Sequence, residues 1–272
     1  MKQVVITGAS SGIGLATAKA SLKAGYKVIA TARKTEDLAR LQQLGAEAVM
    51  LELSDEQSVN AAANTILHLT EGRIDALFNN AGYGLQVAME DSTWQSLVEQ
   101  HVTNVVGPIQ LTNQLLPAMP KGSKLVFNSS ILGMITIAFR GPYCMSKHAL
   151  EAAADAYRLE LENLGIAVHV IQPGPIEAQF RARTLATLKQ TLGVKSPRLN
   201  YQNHLKRLNN PGTTPGTLPA SAVAEVFIGI VEGKLRNSRT LVTRTAKTAA
   251  FFKRLLGHGF HKVARKAEPV NE

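Results

Sequence analysis

Cysteine occurs once in the 272 residues, as Cys144, so no disulfide can close within the chain, and no cluster of thiolates and imidazoles offers a zinc site. No metal is expected, and a reducing compartment, the cytoplasm, is the natural setting. Long hydrophobic runs are missing too. Stretches such as Leu125 to Phe127 and Ile131 to Phe139 are too short, or too broken by Gly and Thr, to span a bilayer as a helix of about 20 residues. The strand-like segment Lys2 to Ile6 leaves no room before it for a charged region, an apolar core and a cleavage site, so no signal peptide is expected. There is no low-complexity tract and no internal repeat.

What is there is an ordinary globular composition, 45% hydrophobic and 18% charged, in a chain long enough to bury one large core. A formal charge of +10 raises the question of nucleic acid, but its distribution answers it. Residues 1 to 200 carry 18 Lys and Arg against 16 Asp and Glu, whereas residues 201 to 272 carry 12 against 4. The basic character belongs to the C-terminal part, and the body needs no polyanion to explain it.

Short β-branched runs alternate with longer helical patterns, the signature of a parallel sheet covered on both faces. Strands are expected at Gln3 to Thr7, Lys27 to Thr31, Glu47 to Leu51, Asp75 to Asn79, Lys124 to Asn128 and Ala167 to Gln172, with a short seventh near Arg239 to Thr243. Helices are expected at Ile13 to Ala24, Thr35 to Leu44, Asp55 to Leu69, Val102 to Met119 and Tyr143 to Leu164. This is an α/β, doubly wound Rossmann-type sheet of six to seven strands in a single domain, residues 1–245. A substrate loop is expected at about 175–219, where Pro, Gly and Thr accumulate, followed by a basic amphipathic segment, 246–272.

Thr7-Gly8-Ala9-Ser10-Ser11-Gly12-Ile13-Gly14 follows the first strand and opens the first helix, the context a dinucleotide fingerprint requires. Gly8 permits the tight turn, Gly12 lets the backbone approach a pyrophosphate, and Gly14 lets helix and strand pack closely, while the helix N-terminus supplies amides and partial positive charge. An isolated glycine cluster is also found at plain strand–helix turns. After the second strand an acid for a ribose 2′-hydroxyl is missing: the chain reads Ala32-Arg33-Lys34, with no acid until Glu36. A guanidinium can hold a 2′-phosphate in a bidentate fork, so Arg33 and Lys34 point to NADP rather than NAD, the alternative being two solvated residues at a helix start.

Tyr143 and Lys147 stand four apart behind Pro142 and share a helix face. A free phenol titrates near pH ~10. A unit positive charge ~4 Å away at an effective dielectric of about 20 is worth roughly 4 kcal/mol, or about three pKa units. Lys147, helped by an oxidised nicotinamide, is therefore expected to bring Tyr143 into the range useful for proton transfer. A bare Tyr and Lys four apart also occurs on many amphipathic helices.

Together with the glycine loop, this pattern resembles the short-chain dehydrogenase/reductase family, from Lys2 to about Gln179. The loop is similar to that family's T-G-x-x-x-G-x-G; Asn79-Asn80-Ala81-Gly82 resembles its N-N-A-G turn; Ser129 to Gly133 resembles its serine segment; Pro173-Gly174 resembles its P-G turn. The resemblance implies that Asn104, Ser130, Tyr143 and Lys147 are catalytic: Tyr143 exchanges the proton, Ser130 binds the substrate oxygen, Lys147 tunes Tyr143 and holds the nicotinamide ribose, and Asn104 joins a water relay. It places Gly8, Ser10, Ser11, Gly12, Ile13, Gly14, Arg33, Lys34, Glu52, Leu53, Asn80, Ala81, Gly82, Pro173, Gly174 and Ile176 around NADP, with Tyr143 and Lys147. It further implies a homodimer or homotetramer and a hydrophobic carbonyl or alcohol substrate, of the kind exemplified by retinal, ketosteroids and long-chain aldehydes.

Two positions depart from the pattern. Ala178 stands where a threonine often contacts the nicotinamide carboxamide, and Glu52 where an aspartate is frequent near the adenine. Cys144 is expected to pack rather than react. Lys247 to Lys266 places Phe252, Leu255, Leu256, Phe260 and Val263 at helical spacing among cations, which fits a docked helix, a cover over an apolar pocket, or contact with an anionic membrane surface. Two alternatives to an NADP(H)-dependent carbonyl reductase stand beside it: a catalytically silent NADP-sensing protein, and a peripheral membrane protein acting through its basic tail.

Overall fold

A computed structural model describes residues 1–177, 184–188, 199–209 and 216–267. Seven parallel strands, β1 (Gln3–Ile6), β2 (Lys27–Ala32), β3 (Glu47–Met50), β4 (Ala76–Asn79), β5 (Lys124–Asn128), β6 (Ala167–Gln172) and β7 (Arg239–Leu241), form one sheet in the order β3-β2-β1-β4-β5-β6-β7. Between them run α1 (Gly12–Lys23), α2 (Thr35–Gln43), α3 (Glu56–Leu69), α4 (Trp94–His101), α5 (Gly107–Leu115), α6 (Gly141–Glu160), α7 (Gln202–Asn209) and α8 (Ser221–Val231). The doubly wound fold expected from the alternation is the one observed.

The side-chain period of two along each strand divides the core. Val5, Ile29, Leu77, Leu125 and Val168 enter one layer, beneath α3, α5 and α6. Val4, Ile6, Ala30, Phe78 and Val126 enter the other, beneath α1 and α8. Phe78 stacks on Phe227 of α8 with ring centroids 4.9 Å apart. Truncating a fully buried phenylalanine of this kind to alanine costs about 3–5 kcal/mol. Strand order reverses direction between β1 and β4, so the connections leave on opposite faces and open a crevice at the carboxyl ends of these strands.

The expected helix Val102 to Met119 requires correction. The helical path begins eight residues earlier, at Trp94, where Thr93 Oγ1 accepts the Ser96 amide at 3.1 Å and Ser96 Oγ accepts the Thr93 amide at 3.1 Å. Serine in place of the usual Glu or Gln at the third position hid this capping box. The path then widens into a π turn, Val102–Val106, before α5. Pro108 explains the widening: it has no N–H for the Asn104 carbonyl four residues back, and its ring would strike that carbonyl in regular α geometry. α5 ends at Leu115 and a 3-10 turn carries Leu116–Ala118.

Beyond β7, Thr243 Oγ1 accepts the Ala246 amide at 3.1 Å and caps α9 (Arg244–Leu256). Gly257 ends it at φ +52°, a backbone region costly for other residues, and α10 (His261–Ala267) follows a short 3-10 turn. Phe260 and Ala264 are buried against Leu132, Ile135, Tyr143 and Cys144. The chain's last described helices therefore cover the carboxyl edge of the sheet. Among the described residues no helix is long and apolar enough to cross a membrane.

Candidate active site

The glycine loop turns at the carboxyl end of β1. Gly8 sits at φ +66° and Gly12 at φ +54°, and α1 begins at Gly12 with no acidic side chain in its first turn. A Cβ on Gly8 would lie 2.8 Å from Ala81 Cα, and one on Gly14 would overlap the Gly8 carbonyl and press on Asn80 Nδ2. The close approach at Gly14 is thus to the loop itself and to the Asn80 turn. Ser10, Ser11, Gly12, Ile13 and Gly14 all face the same cleft as Asn80, Ala81 and Gly82. A backbone shaped this way presents amides to an anion without an opposing carboxylate.

A chain of hydrogen bonds ties this loop to the opposite end of the cleft. Thr7 Oγ1 accepts the amides of Asn80 and Ala81 at 2.9 and 3.0 Å. Asn80 Nδ2 donates to the Thr7 carbonyl at 2.8 Å, and Asn128 Nδ2 donates to Asn80 Oδ1 at 2.9 Å. Lys147 Nζ in turn donates to the Asn128 carbonyl at 2.7 Å. Sequence reasoning passed over Thr7 and Asn128. Thr7 carried a signal as the threonine of the T-G-x-x-x-G-x-G loop, whereas Asn128 had only its position at the carboxyl end of a buried strand.

Tyr143 is in the first turn of α6, 7% exposed, and a hydrogen bond with Ser130 draws its pKa down. Ser130 also caps the 3-10 turn Ile131–Gly133, its Oγ accepting the Leu132 amide at 3.1 Å. Burial is the larger influence, however, and pushes the phenol well above its ordinary value. The expectation that Lys147 brings it towards neutrality is not met in the protein alone. Lys147 Nζ lies 5.8 Å from the Tyr143 ring centroid, and burial lowers the lysine itself to about 8, with Glu151 opposing that fall. The physical reason is desolvation: two buried groups each favour their neutral forms. Cys144 is buried among apolar side chains, and burial raises its thiol.

Asn104 lies in the π turn. Its Nδ2 donates to the Tyr83 carbonyl at 2.9 Å and to Ser146 Oγ at 3.1 Å, and its Oδ1 accepts the Tyr83 amide at 3.1 Å. Ser146 Oγ donates to the Tyr143 carbonyl at 2.8 Å, so Asn104 helps fix the turn of α6 that presents the phenol. At the outer end, Arg33 and Lys34 face the cleft, but Arg33 Nη1 is paired with Glu52 Oε2 at 3.1 Å, and Glu36, Asp37 and Arg40 stand nearby. Leu53 is buried behind Glu52. Pro173, Gly174 and Ile176 line the side below the C-terminal helices, and Gly174 has no room for a Cβ against Thr243 Oγ1. Ala178 and much of the expected substrate loop lie outside the described residues.

One continuous cleft of about 1980 Å³ joins the glycine loop, the Arg33 end, Ser130, Tyr143 and Lys147. Ile131, Ile135, Ile137, Phe252, Phe260 and Val263 make its inner end apolar. Asn128 Oδ1 and Ser129 Oγ are buried beside it and have no hydrogen-bond partner among the described residues.

A family model described as short chain dehydrogenase matches residues 2–189. The chain belongs to this family. It is accordingly an oxidoreductase, and the resemblance drawn from the motifs holds at that level. The Uncharacterized oxidoreductase YbbO of Escherichia coli is 37% identical over 249 residues, covering 89% of this chain and 87% of that protein. Dehydrogenase/reductase SDR family member 7B of Xenopus tropicalis is 34% identical over 269 residues, covering 93% and 81%. A solved short-chain dehydrogenase from Streptomyces avermitilis has a TM-score of 0.78 at 27% identity, over 98% of this chain and 100% of that one. Two Burkholderia members share the fold at 24% identity: one from Burkholderia cenocepacia in complex with NADP (TM-score 0.70, 88% and 95% covered) and one from Burkholderia phymatum in complex with NAD (0.77, 96% and 94%).

Proposed function

We propose that this short-chain dehydrogenase/reductase interconverts a hydrophobic aldehyde or ketone and its alcohol with NADP(H). The carrying observation is the buried Tyr143, hydrogen-bonded with Ser130 and flanked by Lys147, at the apolar end of the cleft that the glycine loop opens. The cradle fits a dinucleotide: Gly8 and Gly12 take positive φ, Gly14 leaves no space for a side chain, and no acidic side chain stands in the first turn of α1. Gly8 to Gly14 would hold the pyrophosphate, Arg33 and Lys34 the 2′-phosphate, and Pro173, Gly174 and Ile176 the nicotinamide side. When bound, the nicotinamide supplies or takes a hydride at the carbonyl carbon.

Tyr143 gives its proton to the substrate oxygen in reduction and takes it back in oxidation. Ser130 Oγ binds and polarises that oxygen. Lys147, tethered to the Asn128 carbonyl, would favour the phenolate when protonated, and the charge of an oxidised nicotinamide would act on the phenol in the same direction. Asn104 positions Tyr143 through Ser146. The roof of Phe252, Phe260 and Val263 excludes water and favours apolar substrates. Residues 1–245 then act as the catalytic body, and the segment from 246 as its cover.

The test follows oxidation of NADPH and NADH in parallel against a panel of aldehydes and ketones of increasing chain length. Turnover that prefers NADPH and grows with substrate hydrophobicity is expected. A preference for NADH would overturn the cofactor assignment, and no turnover by intact protein that binds NADPH would favour the silent, cofactor-sensing reading.

A further inference from the structure

The helices that roof the cleft have a second face. On α9, Phe251 is 62% and Leu255 67% exposed, and Phe252 and Leu256 are 41% exposed beside them. Lys247, Phe251 and Leu255 follow at i, i+4 and i+8, one row on the helix surface, with Arg244 and Arg254 adjacent to it. Val263 of α10, 42% exposed, continues the apolar surface. From Arg244 to Ala267 the chain carries seven Lys and Arg and no Asp or Glu. Phe252 and Val263 belong both to this outer face and to the lining of the cleft, so the exposed surface runs without a break into the proposed substrate end.

We infer that the outer face of α9 and α10 docks on an anionic lipid surface, with Phe251 and Leu255 entering the headgroup zone and the cations around them meeting lipid phosphates. Charge decides between occupants. A second copy meeting this face about a two-fold axis would set Arg244, Lys247 and Arg254 beside their own counterparts, with no acid between Arg244 and Ala267 to offset them. A nucleic acid would pair with the cations but leave the aliphatic Leu255 and Leu256 against phosphates. A bilayer of anionic lipid satisfies both halves of the surface, apolar side chains below the headgroups and cations at their level. Apolar substrates concentrate in that phase, and the continuity through Phe252 and Val263 gives them a route into the cleft that never crosses bulk water. This route rests on the proposed function, whereas the docking does not.

Flotation of the full chain with vesicles tests it, comparing phosphatidylcholine alone with phosphatidylcholine containing one-third phosphatidylglycerol. Binding at least tenfold stronger to the anionic vesicles and declining with salt is expected, with F251S/L255S and K247E/R254E each lowering it about tenfold or more. None of these four side chains has been placed in the cofactor or proton-transfer machinery. Both variants should keep the parent melting temperature and the parent rate on a short, water-soluble aldehyde, and should lose rate selectively on a long-chain aldehyde held in anionic vesicles. Equal binding to both vesicle types, unchanged binding by both variants, or a parent dimer that F251S/L255S dissociates would each overturn the inference. Docking without the selective rate loss would overturn the route alone.

Discussion

The Arg33 guanidinium lies 3.1 Å from the Glu52 carboxylate at the open end of the cleft, with Arg33 exposed and Glu52 half-buried. A solvent-accessible pair of this kind contributes at most about 1 kcal/mol, so a doubly charged 2′-phosphate can compete for the same fork. Glu52, held below its usual range by the Ser54 hydrogen bonds and by Arg33, stays ionised and would oppose that phosphate at close quarters. We expect Arg33→Ala to lower kcat/KM for NADPH by about ten- to a hundredfold with NADH changed by less than threefold. Glu52→Gln should move the ratio the other way. Steady-state kinetics with both nucleotides checks this, and parallel loss for both would remove Arg33 from the specificity argument.

Tyr143→Phe should lower kcat by about 10²–10⁴ while leaving the Kd for NADPH within threefold, since it deletes one proton donor from a packed ring. Ser130→Ala should do less, because it leaves the phenol in place. Near-parent turnover in Tyr143→Phe would displace the proposed mechanism. Fluorescence titration of the nucleotide distinguishes a chemical defect from a binding one.

Lys147 makes stability depend on pH in a defined window. Its folded value, about 8, lies below the 10.5 of the unfolded chain, so between these values the unfolded state binds the extra proton and stability rises with pH. Tyr143 acts in the opposite sense: its value is raised on folding, so its contribution is present below pH 10 and is lost as pH climbs through the folded value. The net expectation is a gain of about 2 kcal/mol from pH 8 to 10, followed by reversal. Urea unfolding at half-unit pH steps measures it, with Lys147→Met lacking the rise. A parent profile flat across that window would show that Lys147 titrates normally in the folded protein.

Gly14→Ala should be far worse than an ordinary glycine-to-alanine change inside a helix, which favours alanine by about 1 kcal/mol. Here the added methyl group meets the Gly8 carbonyl and Asn80 Nδ2. Loss of nucleotide binding with a melting temperature lower by several degrees is expected, measured by thermal shift with and without NADPH. Alanine accepted at no cost would remove the close packing of Gly14 on the Gly8 carbonyl as the reason for glycine there.

The strands were legible because each is a short β-branched run between helical patterns, and buried strands such as Val4-Val5-Ile6 have little other way to hide three apolar residues in a row. The site motifs were legible because they sit at strand ends. What stayed hidden depends on contacts distant in the chain. Thr7 has no motif partner until Asn80 folds onto it 73 residues later, and the desolvation that governs Tyr143 and Lys147 comes from the packing around them, including the Phe260 roof over Tyr143. The start of α4 was missed because serine performed the task that spacing rules assign to glutamate.

The π turn at Val102–Val106 amounts to one residue more than a regular helix would use between α4 and α5. Removing a residue there would not simply shorten the helix. It would turn everything upstream by roughly 100° about the axis relative to α5, carrying Gln100 away from the Leu85 amide that its Oε1 accepts at 2.6 Å. The widened turn therefore acts as a phase setting between two halves of a single rod, one facing the sheet and the other facing the loop after β4. A single-residue deletion between 102 and 106 should disturb that loop more than it disturbs helix content, a contrast that circular dichroism and limited proteolysis of the 83–90 region can read together.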